Sequence, residues 1–190
     1  MSHEGARPAE TVWEGKYIKA IKQGTWEYVA RTRGVTAAVI LAIHDGHVIL
    51  VEQYRVPVGA RCVELPAGLV GDETEGEAVE GAAIRELEEE TGYRAERMVS
   101  LGRFHASPGM SSEGFALVRA EGLTRVGEGG GVPGEDIEVH RVPLDRVSAF
   151  LEAKRAEGAC ADVKLLLLLA GEFLRGEPPP SLRAERSNPE

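Results

Sequence analysis

Cysteine is scarce in this sequence, positive charge is outnumbered, and no apolar run approaches the thickness of a bilayer. Only Cys62 and Cys160 occur among 190 residues, at no ligand-like spacing. That excludes a disulfide framework, and the two read as small buried side chains. The run Leu165–Ala170 falls far short of the roughly 20 apolar residues a membrane helix needs. No signal-peptide pattern opens the sequence, so a cytoplasmic protein is expected. Lysine and arginine total 22 against 31 acidic residues, for a net charge of −9. Non-specific binding to nucleic acid or to an anionic membrane is therefore not expected. An anionic substrate stays open, provided that bound cations and local arginines reverse the field. Hydrophobic residues at 43% and charged residues at 28% suit one domain with a sizeable core, with additions at the N-terminus.

The stretch Gly71–Tyr93, GDETEGEAVEGAAIRELEEETGY, organises the rest. Its second half predicts a helix from about Glu77 to Thr91, stopped by Gly92. At 100° per residue Val79, Ala82, Ala83 and Leu87 share one side, the ordinary core-facing stripe. Glu86 and Glu90 share that side too, while Glu80 lies towards its edge and Glu88 points away. Glu86 and Glu90 are also a like-charge i,i+4 pair, with Glu89 within the same turn. All three sit near the helix C-terminus, where the macrodipole favours cations. A solvated acidic face is the bland alternative, but these carboxylates continue an apolar stripe. A hard divalent cation held by carboxylate oxygens supplies the missing charge.

The spacing carries a resemblance. Gly71, five residues, Glu77, seven residues, Arg85-Glu86-Leu87, Glu88, Glu89-Glu90, Thr91, Gly92 and Tyr93 resemble the Nudix box of the Nudix hydrolases. Tyr93 stands where an aliphatic residue is usual. Leu65-Pro66-Ala67-Gly68 resembles the lead into the box, but Gly68 stands three residues before Gly71, implying a longer loop. The resemblance implies a metal shell of Glu86, Glu89 and Glu90 joined by the Ala67 carbonyl. It implies Mg²⁺ as the ion, with Mn²⁺ as the substitute. Arg85 is expected to orient the carboxylates by charge-assisted hydrogen bonds.

Other segments are similar to ADP-ribose pyrophosphatases of this family. Val12–Ile21 reads as one strand, Gln23-Gly24 as a turn, and Thr25–Arg31 as its partner, giving an N-terminal β-hairpin. Trp13 and Trp26 are the only tryptophans. Packing accounts for either one, and the resemblance adds stacking on adenine, with Trp26 the leading candidate, and a hairpin-built homodimer. Val35–Ile43 reads as a strand buried on both faces, turned by Asp45-Gly46 into His47–Gln53. Arg55 comes directly after, in the segment whose arginine reaches the substrate diphosphate in the subfamily. Cys62–Leu65 is a short strand, and Pro66-Ala67-Gly68 a turn. Glu64 is either a further acidic contributor or a strand residue. Pro108, sixteen residues after Gly92 and within Ser107-Pro108-Gly109, is similar to the mark of the subfamily. Glu113 then corresponds to a glutamate near the terminal ribose. His105 reads as an ordinary histidine.

The glycine-rich stretch Glu121–Gly134 reads as a functional loop before the strand Ile137–Val142. Relatives place a catalytic glutamate on such a loop. Glu135 is the first candidate for the base, ahead of Asp136 and Glu128, with the box glutamates, Glu89 among them, also open. Leu144–Glu157 reads as a helix, and Asp162 caps another to about Arg175, apolar almost all round.

The expected fold is α/β. By the resemblance it is a Nudix-type α/β/α sandwich with a mixed sheet, plus the hairpin. Residues 1–32 form a tail and hairpin extension, 33–176 the hydrolase domain, and 177–190 a disordered tail. The expected reaction is Mg²⁺-dependent hydrolysis of ADP-ribose to AMP and ribose 5-phosphate. Alternatives are another nucleoside diphosphate sugar, such as GDP-mannose, and a non-catalytic nucleotide sensor.

Overall fold

The computed structural model describes residues 7–33, 35–70 and 78–174. Gly71 and Glu77 of the box, and the expected tail at 177–190, lie outside the described residues. The strands before the box are β1 (Glu10–Glu14), β2 (Ile18–Gln23), β3 (Trp26–Arg31), β4 (Thr36–His44), β5 (His47–Arg55), β6 (Ala60–Glu64) and β7 (Ala67–Val70). Helix α1 spans Val79–Thr91. After it come β8 (Tyr93–Arg94), β9 (Arg97–Phe104), β10 (Phe115–Glu121), β11 (Thr124–Arg125), β12 (Glu138–Pro143), α2 (Val147–Ala156), β13 (Cys160–Ala161) and α3 (Leu166–Leu174).

The main sheet runs β13-β6-β5-β4-β10-β9, with β12 added to β5 and β7 to β4. β10 is parallel to β4 and β13 to β6, whereas β5–β6 and β9–β10 are antiparallel, so the sheet is mixed. Strand alternation sets the layers. Ala38, Ile40 and Ala42 of β4 join Ile49 of β5 in one core cluster with Ala82, Ala83 and Leu87 of α1. Val39, Val48 and Leu50 join the opposite cluster with Leu151 of α2, Leu165 and Leu169. The expected α/β sandwich results, because β4 is apolar at successive positions and is covered on both faces.

Two segments differ from the sequence reading. The N-terminal hairpin is a three-stranded sheet, β1-β2-β3. The stretch read as one strand breaks at Gly15, whose N–H donates to the Ile18 carbonyl at 2.9 Å. The Trp13 ring lies across Gly15, where an added Cβ would sit 2.5 Å from a ring carbon. Ala67-Gly68, read as part of a turn, instead opens β7, which pairs antiparallel with β4 through Thr36↔Val70 to Val39↔Ala67. That edge is free because β5 pairs β4 only at Ile43↔Val48 and His44↔His47 before diverging. Between those pairs Asp45 (φ 48) and Gly46 (φ 72) make the expected tight turn, both left-handed.

The C-terminal segment also divides. Asp162 caps it as expected, accepting a 2.8 Å hydrogen bond from the Lys164 N–H. One turn of 3-10 helix, Val163–Leu165, comes next and leads into α3. Leu165 is 1% exposed and Leu166 50%, so the segment buries one side and leaves leucines exposed on the other. Among the described residues no helix is long and apolar enough to cross a membrane. Leu165→Ala should lower the unfolding free energy by about 2–5 kcal/mol. Leu166→Ala should change it by less than about 0.5 kcal/mol, as read from urea unfolding. Equal losses would contradict this register.

Candidate active site

Helix α1 is built from good helix formers and stops at Gly92, which is left-handed (φ 72) and donates its N–H to the Glu88 carbonyl at 2.9 Å. The last carbonyls of a helix have no partner within it. Here the glycine-rich loop supplies their donors. The Val126 and Gly127 N–H groups reach the Gly92 carbonyl at 2.8 and 3.1 Å, Gly130 reaches that of Glu90 at 2.8 Å, and Gly131 that of Glu89 at 3.0 Å. Only glycine permits this approach: a Cβ on Gly129 would lie 2.4 Å from the Thr91 carbonyl carbon. The loop is thereby docked on the carboxylate end of α1.

Glu86, Glu89, Glu90 and Glu135 line one cleft of about 570 Å³, shared with Arg55, Arg85, Ala67 and Glu113. Glu90 is 6% exposed and accepts the Ala67 N–H at 3.0 Å. Burial pushes its carboxyl up to about 8; the Ala67 N–H opposes the rise, and the charges of Glu86 and Glu135 add to it. Burial also raises Glu86, against the Arg85 guanidinium and with the charge of Glu89. Gly68 makes room for Glu86, since a Cβ there would fall 2.0 Å from its carboxyl carbon. Arg85 lies 3.0 Å from Glu86 and 3.3 Å from Glu89, paired with both carboxylates.

The candidates for the base separate clearly. Glu135 lines the cleft and accepts the Val132 N–H at 3.0 Å. Asp136 is turned to Arg61 at 3.0 Å, and Glu128 is 92% exposed and paired with Arg125 at 2.8 Å. Arg55 clasps the buried Glu64 at 2.5 and 2.9 Å inside the cleft, so Glu64 is the arginine's partner. Glu113 pairs with Arg31 at 2.6 Å, both on the cleft wall. Trp26 does not line that cleft. It is half-exposed in a separate pocket of about 350 Å³ with Pro108 and Gly109. The two meet because β3 is hydrogen-bonded to the 107–112 turn, Val29 N–H to the Met110 carbonyl at 2.9 Å and Ser112 N–H to that of Val29 at 3.0 Å. Trp26 and Arg31 are the ends of β3, about 17 Å apart at strand rise, so one strand joins the pocket to the cleft.

Spacing and family pattern had not pointed to Arg31, Lys164 or Gln53 as cleft residues. Nor had they paired Cys62 with Cys160, which face each other across β6 and β13. Burial pushes the Cys62 thiol up, which fits its reading as a packing residue.

The residues on the cleft floor fit a hard divalent cation: buried carboxylates, raised by burial and by one another, beside a glycine that leaves them room. They are spread over Arg85 and the Ala67 amide rather than gathered. Among the described residues the one set of three ligand atoms lying within 4.8 Å of one another is Glu52, Glu138 and His140. That set does not suit a cation, because Arg61 and Lys154 already meet the Glu52 carboxylate, each at 3.0 Å.

The NUDIX domain family matches residues 32–161. The chain belongs to the Nudix family. Among curated relatives, the methanol dehydrogenase activator of Bacillus methanolicus is 36% identical over 119 residues, covering 62% of this chain and 63% of its own length. The chain thus spans less than two thirds of that relative. ADP-ribose pyrophosphatase of Bacillus subtilis is 33% identical over 143 residues, 74% of this chain and 76% of that one. GDP-mannose pyrophosphatase of Cronobacter sakazakii is 36% identical over 153 residues, 76% of each. A solved structure described as an ADP compounds hydrolase covers 90% of this chain and 94% of its own, with a TM-score of 0.63 and 26% identity.

The Glu90 carboxyl has an ordinary value of 4.5 and a folded value of about 8. Below both values the two states bind equal protons; as pH rises between them the unfolded chain ionises this group while the folded acid stays protonated, so the ion-free protein loses stability. In chelator, the wild-type Tm should therefore fall between about pH 5 and pH 8.5. Glu90→Gln should remove much of that fall and melt on the order of 5 °C higher at pH 8.5. A variant less stable than wild type there would contradict the burial of an unpaired charge.

Proposed function

We propose that the protein is a metal-dependent Nudix hydrolase that cleaves the diphosphate of ADP-ribose, giving AMP and ribose 5-phosphate. The observation that carries this is the cleft floor, where the acid cluster of α1 lies across from a clasped arginine, Arg55, with Glu135 on a loop docked beside it. Glu86, Glu89 and Glu90, with the Ala67 carbonyl, would hold Mg²⁺, or Mn²⁺ in its place. The bound ion supplies Lewis acidity that offsets the diphosphate charge and eases ionisation of the attacking water.

The chain's own residues supply the rest. Arg55 turns from Glu64 to phosphate oxygens, for which its planar fork is suited. Glu135 takes the proton of the water that attacks phosphorus, one of its oxygens staying on the Val132 N–H. Arg85 keeps Glu86 and Glu89 in place. Trp26 offers its exposed face to adenine, and Glu113, paired with Arg31, lies along the path to the terminal ribose. A second reading, another nucleoside diphosphate sugar, is favoured by relatives named as GDP-mannose and ADP-sugar pyrophosphatases. A non-catalytic sensor fits less well, because every described box carboxylate is present. Val12, Trp13, Tyr17 and Ile18 are exposed apolar residues in and beside the N-terminal sheet, which suits contact with a second copy of this chain. The reading makes it a cytoplasmic homodimer.

Incubation with ADP-ribose, GDP-mannose and diadenosine polyphosphates, with Mg²⁺ or with chelator, tests it. AMP release should be fastest from ADP-ribose and abolished by chelator. Trp26→Ala should raise KM about tenfold with little change in kcat. Faster turnover of GDP-mannose would move the substrate and keep the chemistry. Saturable binding without turnover would leave the sensor reading.

A further inference from the structure

Among the described residues, two that are not glycine have positive φ, Asp45 in the β4–β5 turn and Asp136 at φ 50. Aspartate tolerates that conformation better than most residues, yet it persists only where the surroundings enforce it. Asp136 stands between Glu135, on the cleft wall, and Glu138, the first residue of β12. The backbone turn at Asp136 therefore sets the direction in which Glu135 leaves the loop.

Arg61 enforces it. Its Nη1 donates to Asp136 Oδ2 at 3.0 Å and its Nη2 to the Asp136 carbonyl at 3.5 Å. An ion pair to a side chain as exposed as Asp136, at 85%, contributes little when both partners are free to move. Arg61 is not free to move. Its Nε donates to Glu52 Oε1 at 3.0 Å and its Nη2 to the Glu52 carbonyl at 2.9 Å. Glu52 is 3% exposed, and its other oxygen meets Lys154 Nζ at 3.0 Å and His140 Nε2 at 2.8 Å. Burial alone would raise the Glu52 carboxyl; its bonds to Lys154, His140 and Arg61 outweigh that and hold it ionised. The planar guanidinium is thus fixed on one edge by a buried carboxylate and presents the other to Asp136.

The opposite end of the loop is fixed as well, through the Gly130 and Gly131 N–H groups on α1. Glu135 packs onto Gly131, where an added Cβ would lie 2.3 Å from its Oε2. The glycine segment sets the distance of Glu135 from the α1 carboxylates, Glu135 is hydrogen-bonded both ways to Val132, and the turn that follows at Asp136 is held from outside the loop by Arg61. We infer that Arg61 is a positioning residue for the reaction, holding through Asp136 the left-handed turn that aims Glu135 into the cleft, with Glu52 as its buried mount. This rests on the reading of Glu135 as the base. Neither Arg61 nor Asp136 lines the cleft, so neither is assigned contact with substrate.

The test is steady-state hydrolysis of ADP-ribose by Arg61→Ala, Asp136→Gly and Asp136→Asn, each alone and combined with Glu135→Gln. Glycine accepts the left-handed turn but deletes the side-chain anchor, leaving only the long 3.5 Å contact to the backbone carbonyl, whereas asparagine keeps both the turn and an oxygen for Arg61. Arg61→Ala and Asp136→Gly should lower kcat about 10- to 100-fold with KM within about threefold. Asp136→Asn should keep most of the activity. In the Glu135→Gln background neither change should reduce the residual rate further, because the group they position is gone. Arg61→Ala leaves Glu52 short of a partner and risks misfolding, so the exposed Asp136 variants, checked by thermal melting, carry the conclusion. Full activity of folded Asp136→Gly beside a crippled Glu135→Gln would overturn the positioning claim alone. An equal further loss in the Glu135→Gln background would overturn it too, by showing a general structural effect. Near-normal turnover by Glu135→Gln would overturn the base assignment and this inference together.

Discussion

A carboxylate buried at the negative end of a helix, beside another carboxylate, is the constraint around which this structure is arranged. Glu90 is desolvated, faces the charge of Glu86 and sits in the last turn of α1. Burial, like charge and the helix dipole all oppose its ionisation. The chain retains it and surrounds it with devices that make sense only if ionisation matters. The Ala67 N–H donates to it, Arg85 braces its neighbours, Gly68 clears space for Glu86, and the glycine-rich loop takes up the carbonyls of Glu89 and Glu90. Marginal stability leaves little room for such an arrangement without a function.

The fold supplies this site through long-range pairing. β7 exists because β5 diverges from β4 and leaves an edge to fill, and β7 delivers Ala67 and Gly68 to the carboxylates. The loop between β11 and β12 is pinned at one end on α1 and at the other on Arg61, so Glu135 is held by two elements distant in sequence. Loops positioned in this way by a rigid scaffold are where catalytic groups are commonly placed.

Much of the site was legible in the sequence because helical periodicity is local. The wheel alone set Glu86 and Glu90 on the stripe of Ala82, Ala83 and Leu87, and the buried face of α1 contains Glu90 beside those three residues. The doubly covered β4, the Asp45-Gly46 turn and the Asp162 cap were legible for the same reason: each depends on neighbours in the chain. Features that depend on distant partners were not. Arg61 and Asp136 lie 75 residues apart and carry no shared pattern. Cys62 and Cys160 meet through a two-residue parallel pairing too short to leave a periodic signal. The Gly15 break was hidden because the Trp13 ring that covers Gly15 is a tertiary feature.

Calorimetric titration of Mg²⁺ into the ion-free protein at pH 7, in two buffers of different ionisation enthalpy, tests the central claim most directly. A cation that occupies carboxylates must displace their protons. With Glu90 near 8, binding should release on the order of one proton per protein at that pH, and Glu90→Gln should lose both the release and most of the affinity. Binding of equal strength without proton release, unchanged in Glu90→Gln, would place the cation elsewhere and contradict the account.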